Sequence, residues 1–210
     1  GISPYDDCTG HGTAVAGVVG GATYGVAKNI ILHPVRVLEC SSSIAEANFI
    51  AGVYWIRARV LEARITYGIY YPTIVLFSGS FPTSTPYLAD VELAIHDLIN
   101  DAQVLVVSIA GNGGGDASEV TPGRMSWVLQ VAATTSTDSR LLNFPVSNFG
   151  STVDVFAPGE SIRTAGLPSG GAQASGTSFA APLVAGVAGL ARERAPWKRW
   201  IDIKDDVEGA

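Results

Sequence analysis

Short runs of β-branched and aliphatic residues alternate with helical patterns along most of this chain, and that alternation leaves few folds open. The runs are Ile30–Leu38, Ile74–Phe77, Val104–Ile109, Val128–Ala133 and Val153–Phe156. Continuous apolar runs of this length mark strands buried on both faces. Between the first two runs, apolar residues recur at helical spacing from Ile44 to Tyr67, with Arg57, Arg59, Glu62 and Arg64 set between them. Tyr87–Asp101 repeats the pattern, and a short apolar stretch, Ala14–Val19, ends at Gly20-Gly21 as helices commonly do. Strands alternating with helices across short loops build βαβ units. The expected fold is α/β, a parallel β-sheet sandwiched by helices.

One further helix stands apart. Gly176-Thr177-Ser178-Phe179-Ala180-Ala181-Pro182 leads into Leu183–Ala191, which is apolar on every side. A helix hydrophobic all round is buried, so the sequence predicts a buried helix with Ser178 in its first turn. The free N–H groups and the dipole of that turn favour negative charge beside the hydroxyl. Pro182 lacks an N–H at little cost so near a helix start. A serine in this position is most often a plain cap; chemistry requires partners.

Partners exist. In sheets of this class, ligands bind at the carboxyl ends of the strands. His11, Ser78-Gly79, Asn112 and Ser178 all fall in such loops or at helix starts. Each has a bland reading: a structural histidine, turn residues, a cap. Acyl transfer gives them coherent jobs together. A serine hydroxyl needs an adjacent base, which His11 supplies. The tetrahedral oxyanion needs preorganised N–H donors, which Asn112 and the Ser178 backbone supply. Gly111–Gly115 lacks the Gly-Lys-Ser/Thr of a phosphate loop, and His11, His33 and His96 have no metal-ligand spacing.

Composition narrows the partners. A net charge of −6 offers no basic stripe for nucleic acid. The longest strongly apolar run, Ala180–Ala191, is too short to span a bilayer. The length of 210 residues allows one sizeable core. No N-terminal segment reads as a signal peptide, so a leader, if there is one, lies outside this sequence. Cys8 and Cys40 permit a disulfide or two free thiols. Pro196–Ala210 changes character and reads as an exposed, frayed extension.

Longer motifs now acquire meaning. Asp7-Cys8-Thr9-Gly10-His11-Gly12-Thr13 resembles the histidine motif of the subtilisin-like serine proteases, and Gly176–Pro182 resembles their serine motif. Ala110-Gly111-Asn112, Tyr24–Ala27, Val35–Leu38, Ser147–Gly150 and Phe156–Gly159 match shorter family segments in family order, with the proteinase K branch the most similar. The resemblance implies the three-layer α/β/α fold over residues 1–195, incomplete at its N-terminus, with 196–210 a divergent extension. It implies Ser178 as nucleophile, His11 as general base and then acid, and Asn112 as oxyanion donor. Ser41, Ser42, Ser43 and Ile44 would form one substrate-binding edge and Ser78-Gly79 the other, with Ala110 and Gly111 walling an apolar specificity pocket. Broad endopeptidase cleavage after apolar or aromatic residues follows, on protein or peptide substrates, with an inhibitory propeptide as a second partner. By the same likeness Cys8 and Cys40 pair, which places the protein in an oxidising, extracellular compartment. The chemistry needs no cofactor. Asp154 resembles a structural calcium ligand, though a plain carboxylate at a strand end fits its pattern equally well.

The match also has gaps. The family's third catalytic group is an aspartate in Asp-Thr-Gly or Asp-Ser-Gly, upstream of the histidine, and neither motif is present. Asp6 and Asp7 are poor substitutes, since Asp7 matches an aspartate of the histidine motif itself. Phe77 stands where relatives usually carry serine. Two explanations are open: a piece of a longer protease, or an impaired relative that binds extended peptides without turnover. Missing strands would also expose sheet edges and apolar surface, so the segment by itself is expected to be poorly soluble.

Overall fold

The computed structural model describes residues 7–40, 44–68 and 72–210. Its centre is a parallel sheet of four strands, β1 (Ile74–Phe77), β3 (Leu105–Ile109), β5 (Val128–Thr134) and β6 (Val155–Pro158), in the order β1-β3-β5-β6. The register sets Ile74 against Leu105, Val106 against Val128 and Val131 against Val155. Every residue of β3 and β5 is buried, which is why both read as nearly continuous apolar runs, interrupted only by Ser108 in β3 and by Gln130 and Thr134 in β5.

The two sheet faces feed different cores because strand side chains alternate. Val75, Val106 and Val128 meet Phe49 and Val53 of α2 (Glu46–Tyr67) and Ile95, Leu98 and Ile99 of α3 (Leu88–Ala102). Leu105, Val107, Leu129 and Val131 meet Ala181, Val184 and Ala188 of α4 (Thr177–Arg194) and Ile203 and Val207 of α5 (Trp200–Glu208). Each fully buried Val, Leu, Ile or Phe side chain contributes about 1.5–3 kcal/mol. The result is three layers, helices on both sides of the sheet. Among the described residues no helix is long and apolar enough to cross a membrane.

Two small antiparallel pairs complete the frame: β2 (Phe81–Pro82) with β4 (Val120–Thr121), and β7 (Ile162–Ala165) with β8 (Gly171–Ala174). The second seats α1 (His11–Gly20). At Gly17 a Cβ would lie 2.6 Å from Thr164 Oγ1, so only glycine lets helix and hairpin approach this closely. The Thr164 hydroxyl donates to the Ala14 carbonyl. Ala14 and Val18 then pack against Phe179, which brings the starts of α1 and α4 together.

Three expectations need correction. Ile30–Leu38 is not a ladder strand. Among the described residues only Leu38 pairs, through an antiparallel bridge to Ile44, and Ile31 is 78% exposed. A β-branched run becomes a strand only where a neighbouring backbone takes its hydrogen bonds, and composition does not reveal that neighbour. The segment 196–210 is not a frayed extension. It contains α5, whose Ile203 and Val207 lie in the main core, with the Arg199 N–H donating to Asp202 Oδ2 at 2.9 Å to open the helix. Finally, α4 is not buried all round, since Val187 and Leu190 face outward.

Candidate active site

The start of α4 is the geometric centre. Gly176 has φ +123°, a conformation closed to L side chains, and a Cβ there would press on Pro145 and Asn112. The first N–H groups of a helix have no partner within it. Here the Phe179 and Ala180 N–H groups donate to the Gly176 carbonyl, and the Thr177 N–H donates to Asn112 Oδ1 at 2.9 Å. Among the described residues the Ser178 N–H has no acceptor, so it is left as a donor beside its own hydroxyl.

Pro182 has a larger consequence than its missing N–H alone suggests. In a regular helix, the N–H of residue 182 would serve the Ser178 carbonyl. Proline cannot, and Ser78 Oγ donates to that carbonyl instead, at 3.0 Å. The hydroxyl at the end of β1 is thus fastened to the backbone of the candidate nucleophile.

Asn112 is oriented by Thr177. Its Oδ1 accepts from the Thr177 N–H and from Thr177 Oγ1, at 2.9 and 3.0 Å. A backbone N–H is only a donor, so the oxygen faces Thr177 and Nδ2 is the free end. The loop that carries Asn112 is braced by Asn148, whose Oδ1 accepts from the N–H groups of Gly113 and Gly115 at 3.0 and 3.1 Å. Sequence reasoning assigned no role to Asn148, Thr177 or the Ser78 hydroxyl. A proline four residues after Ser178 was the readable sign that some other donor had to reach its carbonyl.

His11 opens α1. Asp7 accepts from the N–H groups of Thr13 (2.6 Å) and Gly10 (2.9 Å), capping the helix from outside. Burial works against ionisation of Asp7, but these N–H bonds outweigh it and hold the carboxyl below its usual range. Both oxygens are therefore committed to the α1 backbone. The His11 ring stands edge-on to Phe179, centroids 6.0 Å apart. Burial pulls the imidazole below its usual range, partly opposed by the Asp7 charge. A neutral ring at neutral pH is the form that can accept a proton.

His11 and Ser178 line one groove of about 530 Å³, together with Leu38, Ile44, Ser78, Gly79, Phe81 and Ile109. Of the expected edges, Ser78-Gly79 and Ile44 are on this groove, and Ser41, Ser42 and Ser43 lie outside the described residues, as does Asp6. Ala110 and Gly111 are buried, and Ala110 packs on Ala117 and Ala132. Cys8 and Cys40 form a disulfide that ties the histidine loop to the groove rim, 32 residues away in sequence. Closing a loop of that length contributes roughly 3–4 kcal/mol in the chain-entropy account.

Asp154 sits elsewhere, just before β6. Its Oδ2 accepts the Gln130 N–H at 2.6 Å and its Oδ1 pairs with Lys204 Nζ at 2.9 Å. Burial pushes its carboxyl above the usual aspartate range, against the pull of those two partners. Calcium takes six to eight oxygen ligands. Here Oδ2 is taken by the Gln130 N–H and Oδ1 by the Lys204 ammonium, so a calcium ion would meet a like charge at the carboxylate, and the residues present do not fit the ion.

Comparison with known proteins agrees with this architecture. The family model described as "Subtilase family" (Peptidase S8) matches residues 2–208. An extracellular serine proteinase of Thermus sp. (strain Rt41A) is 43% identical over 186 residues, covering 88% of this chain and 41% of that protein. Alkaline serine exoprotease A of Vibrio alginolyticus is 42% identical, covering 88% of this chain and 31% of the relative. A solved cold-adapted subtilisin-like serine proteinase superposes with a TM-score of 0.83 at 36% identity, covering 95% of this chain and 67% of that one. The chain therefore spans about a third to two fifths of the length of these two sequence relatives. By family match, sequence identity and fold alike, the chain belongs to the subtilase family of serine proteases.

Proposed function

We propose that this chain carries the nucleophile, base and oxyanion donors of a serine endopeptidase that works through an acyl-enzyme. The carrying observation is that Asn112 turns its carbonyl to Thr177, which leaves Nδ2 and the Ser178 N–H as two unspent donors beside the Ser178 hydroxyl. In this reading Ser178 Oγ attacks the carbonyl carbon and its proton passes to His11. The oxyanion forms against the two donors. As the carbon–nitrogen bond breaks, His11 returns the proton to the leaving amine, and water repeats the sequence on the acyl-enzyme.

An extended substrate would lie between the Ser78-Gly79 edge and the rim at Leu38 and Ile44, pairing by backbone and so asking little of sequence. Leu38, Ile44, Phe81 and Ile109 in the groove favour apolar or aromatic side chains. The disulfide and the extracellular relative suit a secreted enzyme, made with an inhibitory propeptide. Asp7 is committed to α1, so orienting His11 calls for a carboxylate other than Asp7. Without such a group, turnover falls about 10⁴-fold, and peptide binding without turnover becomes the alternative.

The test is a fluorophosphonate probe on the full-length protein. Labelling of the peptide that contains Ser178, lost in Ser178→Ala, is the expected result. No labelling, together with peptide binding and no hydrolysis, overturns the assignment in favour of a binding module.

A further inference from the structure

Lys204 is an unusual residue to find inside this core. Its side chain is 5% exposed, yet it carries an ammonium. Buried lysines are rare unless paired. This one is adjacent on α5 to Ile203, which is fully buried, and its head finds two carboxylates. One is Asp154 Oδ1, at 2.9 Å, from the strand side; the other is Glu208, one turn later on α5.

Asp154 is not free to turn away from this contact. Its N–H donates to the Gln130 carbonyl at 3.1 Å, and its Oδ2 accepts the Gln130 N–H at 2.6 Å. The carboxylate is thereby fixed at the edge of β5, with Oδ1 directed at α5. A calcium ion bound to Asp154 would have to displace the ammonium from its buried seat. An ion that left the ammonium in place would instead sit beside a like charge, because Asp154 and Glu208 already share one buried cation.

We propose that Lys204 is a tethered cation standing in place of a metal ion, so that the junction of α5 with β6 is locked by Asp154, Lys204 and Glu208 and is indifferent to calcium. The helix that carries the cation is itself the element being fastened. Metal binding is replaced by helix docking, and the lock closes when α5 folds onto the sheet.

Hydrogen exchange on the full-length protein tests this, with residues 104–109 as internal reference and the segments 150–158 and 199–210 as reporters. In wild type, exchange of both reporters relative to the reference is the same in chelator and in millimolar calcium. Lys204→Met leaves Asp154 uncompensated and speeds both reporters on the order of tenfold. Adding Asp154→Asn to Lys204→Met recovers part of that loss, because the stranded charge is gone. Selective protection of 150–158 by calcium in wild type overturns the proposal, as does a Lys204→Met protein with unchanged reporters. Should Lys204→Met fail to fold, the wild-type comparison with and without calcium still decides.

Discussion

Ser78→Ala should cost more than an ordinary surface hydroxyl, and Pro182 is the reason. The Ser178 carbonyl receives its hydrogen bond from Ser78 Oγ at 3.0 Å because residue 182 has no N–H to give. Removing the hydroxyl leaves a half-buried carbonyl without its donor. An unmade bond of this kind costs about 1–3 kcal/mol, and partial exposure places this one near 1–2 kcal/mol. For a domain of this size that is a fall in Tm of roughly 2–8 °C. The double variant Ser78→Ala/Pro182→Ala supplies a helical N–H to the same carbonyl. The two changes should therefore couple, with the second recovering at least about half of the first. Thermal and urea unfolding of the four proteins in the cycle, in the full-length context, measure the coupling. If Ser78→Ala costs the same in wild type as in the Pro182→Ala background, the carbonyl was never short of a donor and the account of Pro182 is wrong.

Asp7→Ala removes the external cap of α1 and should destabilise by about 1–2 kcal/mol at neutral pH. Because the Asp7 carboxyl is held below its ordinary value of 3.8, that contribution is present above 3.8 and disappears as pH falls through the lower folded value. Unfolding curves of wild type and variant should therefore converge in strong acid, and a gap that persists there refutes the capping role. His11 lies below its ordinary value of 6.5, so in this chain, with no further carboxylate beside the ring among the described residues, an NMR titration of the imidazole should inflect below 6.5. Asp7→Asn, which removes the charge that opposes this shift, should move the inflection further toward acid. An inflection above 6.5 in this chain would contradict the burial of the ring.

The parts of the fold that the chain announces most clearly are those whose environment is uniform. β3 and β5 are buried on both faces, and runs made mostly of Val, Leu, Ile and Ala have no other stable place. Val91, Ala94, Ile95, Leu98, Ile99 and Ala102 mark α3 by their spacing alone. Ile30–Leu38 misleads because strand formation depends on a neighbour, and among the described residues only Leu38 has one. β7 and β8 are hidden for the opposite reason: Gly171-Ala172-Gln173-Ala174 has little strand preference, and the hairpin depends on its pairing with Ile162–Ala165. α5 is masked by its charges, because one of them, Lys204, points inward. At the site, motif residues identify the reacting groups. The hydrogen bonds that aim them run from Thr177 to Asn112, from Ser78 to Ser178 and from the Gly113 amide to Asn148. They join positions 65, 100 and 35 residues apart and leave no local pattern.

The bridge between Cys8 and Cys40 encloses His11 within a covalent ring, and Ser178 lies outside that ring. The imidazole is thus held covalently to the Leu38 side of the groove, while its nearness to Ser178 rests on the noncovalent packing of Ala14 and Val18 against Phe179. Reducing the bridge would open the ring and leave both attachments noncovalent.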